Sequence, residues 1–286
     1  MMATLYRLAQ FITCHVPLPV AYALGVFVAD CHYAFSGKDR RAVEANLKAI
    51  LKTDHVPPAM VREMFRNFGR YLAEFFTMTK YVDADFVRAH VQIDNSEYLN
   101  EALGHGKGCI LVGGHLGNWE MLGAVLLVLG YPLSVIALPH KDPKVNKFFN
   151  DQREHFGATI IPAATTAVRR CVEHLKANRP LGILGDRDFG SYGIVMDFLG
   201  RPTMIPKGAA MFSMKTGAPI LSCFFMRKDN GDFYASFGKP IYPPSRNGKA
   251  TEEDLKALIM QYIPFIEDRI RQHPTQWLIF REFWVT

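Results

Sequence analysis

Apolar positions give the chain three textures. Between Arg7 and Asp30 there is no charged residue, and the run is rich in Ala, Val, Leu, Tyr and Phe, with His15, Pro17 and Pro19 inside it. A stretch of that length can cross a bilayer. The two prolines, with Asp30 and His32 near the far end, fit a helix lying in the membrane interface or a short dipping hairpin better than a clean span. No small-residue cleavage site follows a clean apolar core, so a signal peptide fits poorly. The plainer alternative is a buried N-terminal helix of a soluble domain. The pattern favours membrane attachment and leaves its geometry, spanning or interfacial, open.

The second texture is helical. Lys38, Arg40 and Arg41 precede Val43, Leu47, Ile50 and Leu51 at helical spacing, and Pro57 and Pro58 can start the next helix. Met60, Met64, Phe65, Phe68, Leu72, Phe75 and Phe76 form a stripe at three- and four-residue steps, which predicts a core-facing helix. After Asp83 the runs shorten. β-like segments at 90–93, 109–112, 133–137, 159–161, 181–184 and 219–225 alternate with helical ones at 97–103, 118–129, 143–156, 167–177 and 206–216. That alternation predicts an α/β domain, a mixed central sheet flanked by helices. Thr251 and Asp254 read as a capping box for a last helix. Leu255, Leu258, Ile259, Tyr262, Ile263, Ile266 and Ile270 give that helix one apolar face, with Pro264 a predicted kink. The organisation is an N-terminal helical membrane-associated segment over residues 1–50 and one domain over residues 51–286.

Composition narrows the partners. The 286 residues are 49% hydrophobic and 21% charged, which excludes a disordered or low-complexity chain. The formal net charge of +6 is spread without the Lys/Arg runs of a nucleic-acid-binding arm, so no nucleic acid is expected as partner. An anionic membrane surface, a phosphorylated substrate or an acidic carrier protein suits the excess. Five scattered cysteines without a C-x-x-C pair exclude a disulfide framework and a zinc ribbon, and point to a reducing compartment.

Candidate chemistry gathers in three segments. Gly113-Gly114-His115-Leu116-Gly117-Asn118-Trp119-Glu120 follows the apolar run at 109–112. A strand running into a Gly-rich turn and a helix brings its functional groups to the carboxyl edge of the sheet. With His115 in the turn and Glu120 on the first helical turns, the two can converge as an imidazole–carboxylate general base. The bland alternative is a helix-capping histidine beside an exposed glutamate. The second histidine of a zinc-protease motif is missing. Arg153, in the segment 150–157, suits bidentate recognition of a phosphate or carboxylate, or pairs with its neighbours Asp151 and Glu154. The segment 185–190 places Asp186 and Asp188 after another apolar run. Its Asp-Phe-Gly lacks the Gly-rich phosphate loop and the catalytic loop of a kinase. Lys207 stands where the helix at 206–216 begins, a ready anion site. Cys109 and Cys223 read as inert core residues.

Gly-Gly-His-Leu-Gly-Asn-Trp-Glu at 113–120 resembles the signature of the late acyltransferases of lipid A biosynthesis, a bacterial family that includes the phosphatidylinositol mannoside acyltransferases and is related to the glycerolipid acyltransferases. Arg40-Arg41-Ala42-Val43-Glu44-Ala45-Asn46-Leu47 and Arg271-Gln272-His273-Pro274-Thr275-Gln276-Trp277-Leu278 resemble two further family elements in the same order, so the likeness spans nearly the whole chain. The resemblance implies a glycerolipid-acyltransferase-like fold. It implies transfer of a fatty acyl group from a thioester of acyl carrier protein or coenzyme A to a hydroxyl of a membrane glycolipid, a lipid A precursor or a related lipid. The place implied is the cytoplasmic face of the bacterial inner membrane. His115 and Glu120 are then catalytic, either His115 taking the proton with Glu120 orienting it or Glu120 taking it with His115 in position, and Asn118, Arg153, Asp186, Asp188 and Lys207 bind substrate. The Asp186 turn would shape the acceptor site or orient Arg153, and donors of the Gly113–Asn118 turn would stabilise the oxyanion. No metal and no cofactor beyond the thioester donor is implied. The helix at 60–76 and the N-terminal segment are the expected walls of an acyl slot. Trp277, Phe280, Phe283 and Trp284 suit either a membrane interface or core packing. Two rival readings stand beside this one: an acyl-thioester hydrolase, and a non-catalytic membrane-surface protein on the same scaffold.

Overall fold

A proline is tolerated in the first turn of a helix but not in its interior. Pro17 and Pro19 therefore divide the uncharged run into α1 (Met2–His15) and α2 (Leu18–Phe35). The computed structural model describes residues 2–164, 167–187, 193–245 and 249–284. Ser36 caps α3 (Gly37–Leu51) by accepting from the Asp39 N–H, and α4 (Pro58–Tyr81) starts at the second of the paired prolines. Helix α2 lies against α4 where Gly25 and Gly69 face each other so closely that a Cβ on either would strike the other's carbonyl. Beside that crossing Asp30 accepts bidentate hydrogen bonds from both Arg62 and Arg66 of α4. Tyr6 of α1 stacks on Phe148 and meets Phe149 edge-on. The outer faces of these two helices leave Leu5, Leu8, Phe11, Val20, Phe27 and Val28 exposed. By length and composition α2 is apolar enough to cross a membrane. Gly69→Leu is expected to overpack the α2–α4 crossing at a cost of about 1–3 kcal/mol. Thermal unfolding measures it, and an unchanged midpoint would mean that α2 does not rest on α4 in solution.

Beyond Asp83 helices and strands alternate as α5 (Ala84–His90), β1 (Val91–Asp94), α6 (Ser96–Gly104), β2 (Cys109–Gly113), α7 (Trp119–Val128), β3 (Ser134–Ala137), α8 (Pro143–Glu154), β4 (Thr159–Pro162), α9 (Ala167–Lys176) and β5 (Pro180–Leu184). An antiparallel hairpin of β6 (Ile194–Phe198) and β7 (Arg201–Ile205) follows, then α10 (Gly208–Thr216), β8 (Ile220–Arg227), β9 (Phe233–Phe237) and α11 (Glu252–Gln272). Seven strands make one mixed sheet in the order β1-β9-β8-β2-β5-β3-β4, parallel except between β8 and β9. Helices α7 and α8 bury their apolar sides with Leu111, Leu221 and Phe225 on one face of the sheet. On the other face α9, α10 and α11 pack with Ile110, Val112 and Phe224. Covered on both sides, β2 is buried along its full length, which is why it reads as an unbroken apolar run.

Three details depart from the sequence reading or decide between its alternatives. Strand β1 starts at Val91 because His90 still belongs to α5. Strands β6, β7 and β9 lie outside the apolar runs read as β-like. The aromatic C-terminal stretch packs inward: Trp277 is fully buried and its ring meets those of Phe198, Phe283 and Trp284.

One feature of the sheet prepares the site. Pairing between β3 and β5 covers only Ser134 with Leu181 and Val135 with Gly182. Strand β5 stays paired to β2 as far as Leu184, and β3 to β4 as far as Ala137. At its carboxyl end the sheet therefore parts between β3 and β5.

Candidate active site

The turn between β2 and α7 is fixed from several sides. Gly117 has φ +66°, and its backbone lies so near the Phe225 carbonyl that any Cβ would collide with it, so only glycine serves there. Asn118 caps α7 by accepting from the Met121 N–H, and its own N–H donates to the Phe225 carbonyl. From below, the Leu278 N–H donates to the His115 carbonyl and the Gly117 N–H to the Gln276 carbonyl. The C-terminal Gln276-Trp277-Leu278 element thus runs along the turn as a short antiparallel brace.

Parallel pairing decides the partner of His115. Gly113 of β2 lies in register with Leu184 of β5, so the residues two places further on, His115 and Asp186, leave the sheet side by side. The His115 backbone N–H donates to Asp186 Oδ2 at 2.7 Å, His115 Nδ1 lies 2.8 Å from Oδ1, and Trp277 Nε1 donates to Oδ2 at 2.9 Å. A carboxylate can only accept, so Nδ1 carries a proton, and the lone pair of the ring's neutral form lies on Nε2. Asp186 is 0% exposed. Burial opposes its ionisation, but the imidazole beside it and the hydrogen bonds from His115 and Trp277 outweigh that and hold its carboxyl below the ordinary value.

Glu120 has a different partner. Arg153 on α8 donates from Nε to Glu120 Oε2 at 2.9 Å and from Nη2 to Oε1 at 2.6 Å, and Trp119 Nε1 also donates to Oε1. Burial works against the Arg153 charge, yet Glu120 more than offsets it and raises the guanidinium above its ordinary value. The expected pairing is thus corrected: the carboxylate that orients His115 is Asp186, and Glu120 is clamped by Arg153. For the same reason Asp186 does not orient Arg153.

A cavity of about 910 Å³ opens where β3 and β5 part. His115, Glu120, His140, Arg153, Arg187 and Lys207 supply its polar groups, while its walls are apolar: Leu122, Leu126 and Leu133 on one side of the sheet, Ile183, Met211 and Phe224 on the other. His140 is held below the ordinary histidine value by burial and by Arg153. The walls differ from those expected. No residue of the 60–76 stripe lines the cavity, although Tyr71 and Met78 of the same helix do, and none of the described residues of α1, α2 or α3 does. The stripe faces the core instead.

The remaining sequence candidates fall as follows. Lys207 precedes α10 and lines the cavity. Asn118 is buried, with its side chain committed to the α7 cap and to Glu74, so it holds the turn and is not placed to touch substrate. Asp188 lies outside the described residues. The N–H groups of His115, Gly117 and Asn118 all donate within the fold, which removes them as oxyanion donors. Burial pushes the Cys223 thiol up to about 12 and raises Cys109 as well, in keeping with inert sulfur. Among the described residues no group of three or more His, Cys, Asp or Glu side chains converges as a metal site would need. Sequence reasoning passes over His140, an isolated position without a motif, and Arg187, which stands between the two aspartates that segment 185–190 singles out.

A family model described as bacterial lipid A biosynthesis acyltransferase matches residues 1–286. The chain belongs to that family. It is 27% identical to a phosphatidylinositol mannoside acyltransferase of Mycolicibacterium smegmatis over 94% of this chain and 87% of that one. The protein of the same name from Mycobacterium tuberculosis is 27% identical over 80% of this chain and 73% of its own length. A lipid A biosynthesis acyltransferase of Haemophilus influenzae is also 27% identical, over 57% of this chain and 52% of that protein. The chain is accordingly an acyltransferase of lipid biosynthesis.

Proposed function

We propose that the chain moves a fatty acyl group from a thioester, on acyl carrier protein or coenzyme A, to a hydroxyl of a membrane glycolipid, with His115 as the general base. The observation that carries this reading is the His115–Asp186 pair at an apolar cavity large enough for a hydrocarbon chain. Nε2 of His115 takes the proton of the acceptor hydroxyl as its oxygen attacks the thioester carbonyl. Asp186 stabilises the imidazolium that forms. Collapse of the tetrahedral intermediate breaks the C–S bond, and the departing thiolate takes the proton back from His115. A thioester is already activated, so no acyl-enzyme is required. With the His115, Gly117 and Asn118 amides committed elsewhere, the cationic Arg153 at the cavity is assigned to the developing oxyanion. Lys207 at the start of α10 suits a phosphate of the donor or acceptor.

Apolar walls that exclude water favour transfer over thioester hydrolysis. The names of the relatives, which point to a phosphatidylinositol mannoside and to lipid A, support a glycolipid acceptor. The exposed apolar faces of α1 and α2 support attachment to a membrane surface, assigned here to the cytoplasmic face of the inner membrane. An interfacial placement suits them better than a span, because α2 is tied by Asp30 to Arg62 and Arg66, which a spanning α2 would draw into hydrocarbon. The test offers labelled acyl-carrier-protein and acyl-coenzyme A donors in parallel with extracted bacterial lipids. A labelled glycolipid is expected, and whichever donor yields it is identified. Release of free fatty acid alone would contradict transfer.

A further inference from the structure

A second polar cluster lies behind the turn, buried and away from the cavity. Its centre is Glu74, in the middle of α4 and 2% exposed. Glu74 Oε1 accepts from the Tyr22 hydroxyl at 3.0 Å and from Arg227 Nε of β8, and Oε2 accepts from Asn118 Nδ2 at 2.7 Å. Arg227 in turn holds Gln276 at both ends of its amide: the Arg227 N–H donates to Gln276 Oε1 at 3.2 Å, and Gln276 Nε2 donates to the Arg227 carbonyl at 3.0 Å. Gln276 is the residue whose carbonyl receives the Gly117 N–H, and Asn118 is the cap of α7. One carboxylate thus reaches both flanks of the turn that carries His115, directly through Asn118 and indirectly through Arg227 and Gln276.

We infer that Tyr22 and Glu74 are positioning residues of the His115 turn, so that α2 belongs to the catalytic apparatus as well as to the membrane-facing surface. This rests on the reading of that turn as catalytic. The chemistry of the pair supports it. A buried ion pair is a poor way to hold a helix to a strand, since well-packed apolar side chains of similar volume do so as well or better. A carboxylate at this place does what an apolar side chain cannot: it accepts at once from three elements, α2, β8 and the cap of α7. Loss of the Tyr22 hydroxyl removes one of the three donors and frees Glu74 to shift with respect to Asn118. A displacement of about 1 Å at a catalytic group can cost about 10²-fold in rate.

The experiment compares wild type with Tyr22→Phe, which keeps the ring and deletes only the hydroxyl, and with Glu74→Gln. Hydrogen–deuterium exchange of residues 113–122 is measured together with kcat and KM for acyl transfer from a labelled acyl thioester. In Tyr22→Phe, exchange at 113–122 is expected to rise about tenfold, the scale of one hydrogen bond to a charged group, while the central strand at 220–224 keeps its protection. The kcat is expected to fall by about tenfold or more with KM for the donor unchanged, the mark of a displaced catalytic group and not of weakened binding. A larger effect is expected for Glu74→Gln, which leaves Arg227 without its charge partner. If Glu74→Gln does not fold, Tyr22→Phe decides by itself. Exchange at 113–122 equal to wild type, or raised equally across the whole chain, would overturn the inference. Exchange needs no turnover, so a wild-type protein that transfers no acyl group would sink the proposed reaction while the exchange result still decides whether Tyr22 holds the turn.

Discussion

Asp186→Asn is expected to lower acyl transfer by about 10²–10⁴-fold, the range contributed by a general base, with the fold intact. The direction follows from the three donors around that carboxylate. The His115 backbone N–H and the Trp277 indole N–H are fixed donors converging on Oδ2. An asparagine must turn its single carbonyl oxygen toward them, which aims its NH2 group at His115 Nδ1. The imidazole then has to accept at Nδ1 and carry its proton on Nε2, and it can no longer take one from a substrate hydroxyl. Steady-state rates with thermal melts of both proteins measure the effect. A variant within a few-fold of wild type would mean that Asp186 does not set the tautomer during the reaction.

Arg153→Ala is expected to cost about 3–5 kcal/mol of stability, because it strands the Glu120 carboxylate, whose side chain is only 7% exposed, without its charge partner. Thermal unfolding reads this as a midpoint lowered by roughly 5–15 °C. Replacing both partners, as Glu120→Leu with Arg153→Met, is expected to recover most of that loss, since removing a buried pair together is far cheaper than breaking it. Activity is not expected to return with stability, because the cavity then lacks the cation assigned to the oxyanion. An Arg153→Ala protein as stable as wild type would show that the pair is solvated and the cavity open to water.

The layered α/β fold was legible because each of its main strands is a short apolar run and each flanking helix carries a stripe at its own period. The capping box at Thr251 and the paired prolines at 57–58 marked two helix starts correctly. What escaped was written in turns, not in runs. Strand β6 alternates buried and exposed residues, and its hairpin turns at Leu199 and Gly200, both with positive φ. Asn230-Gly231, between β8 and β9, is a hairpin signal of the same kind. Both strands are mostly apolar, but Asp197 in β6 and Ser236 in β9 interrupt the runs.

The site was legible in its residue types and less so in their pairing. His115, Glu120, Arg153, Asp186 and Lys207 all came from local segments, and all but Asp186 line the cavity. The expected His115–Glu120 pairing assumed that neighbours in sequence are partners. In the sheet the neighbour of His115 is set by the strand order β2-β5, which no local pattern encodes, and the register then brings Asp186 to it from 71 positions away. Glu74 did leave a trace: a carboxylate between Leu72 and Phe75 on an apolar helix is buried only if it has partners. Those partners, Tyr22, Asn118 and Arg227, are scattered along the chain. The 60–76 stripe suggests an acyl slot because a wide apolar face suits a hydrocarbon chain. That face is used up in packing, and the cavity arises instead where two strands separate.

The most direct test of the account is single-turnover transfer of a labelled acyl group to a glycolipid by wild type and by His115→Ala, at matched concentrations of folded protein. Wild type is expected to yield the acylated glycolipid, and His115→Ala to be slower by about 10²-fold or more. Transfer by His115→Ala at the wild-type rate would contradict the role of His115 as the base, and with it the mechanism built on Asp186.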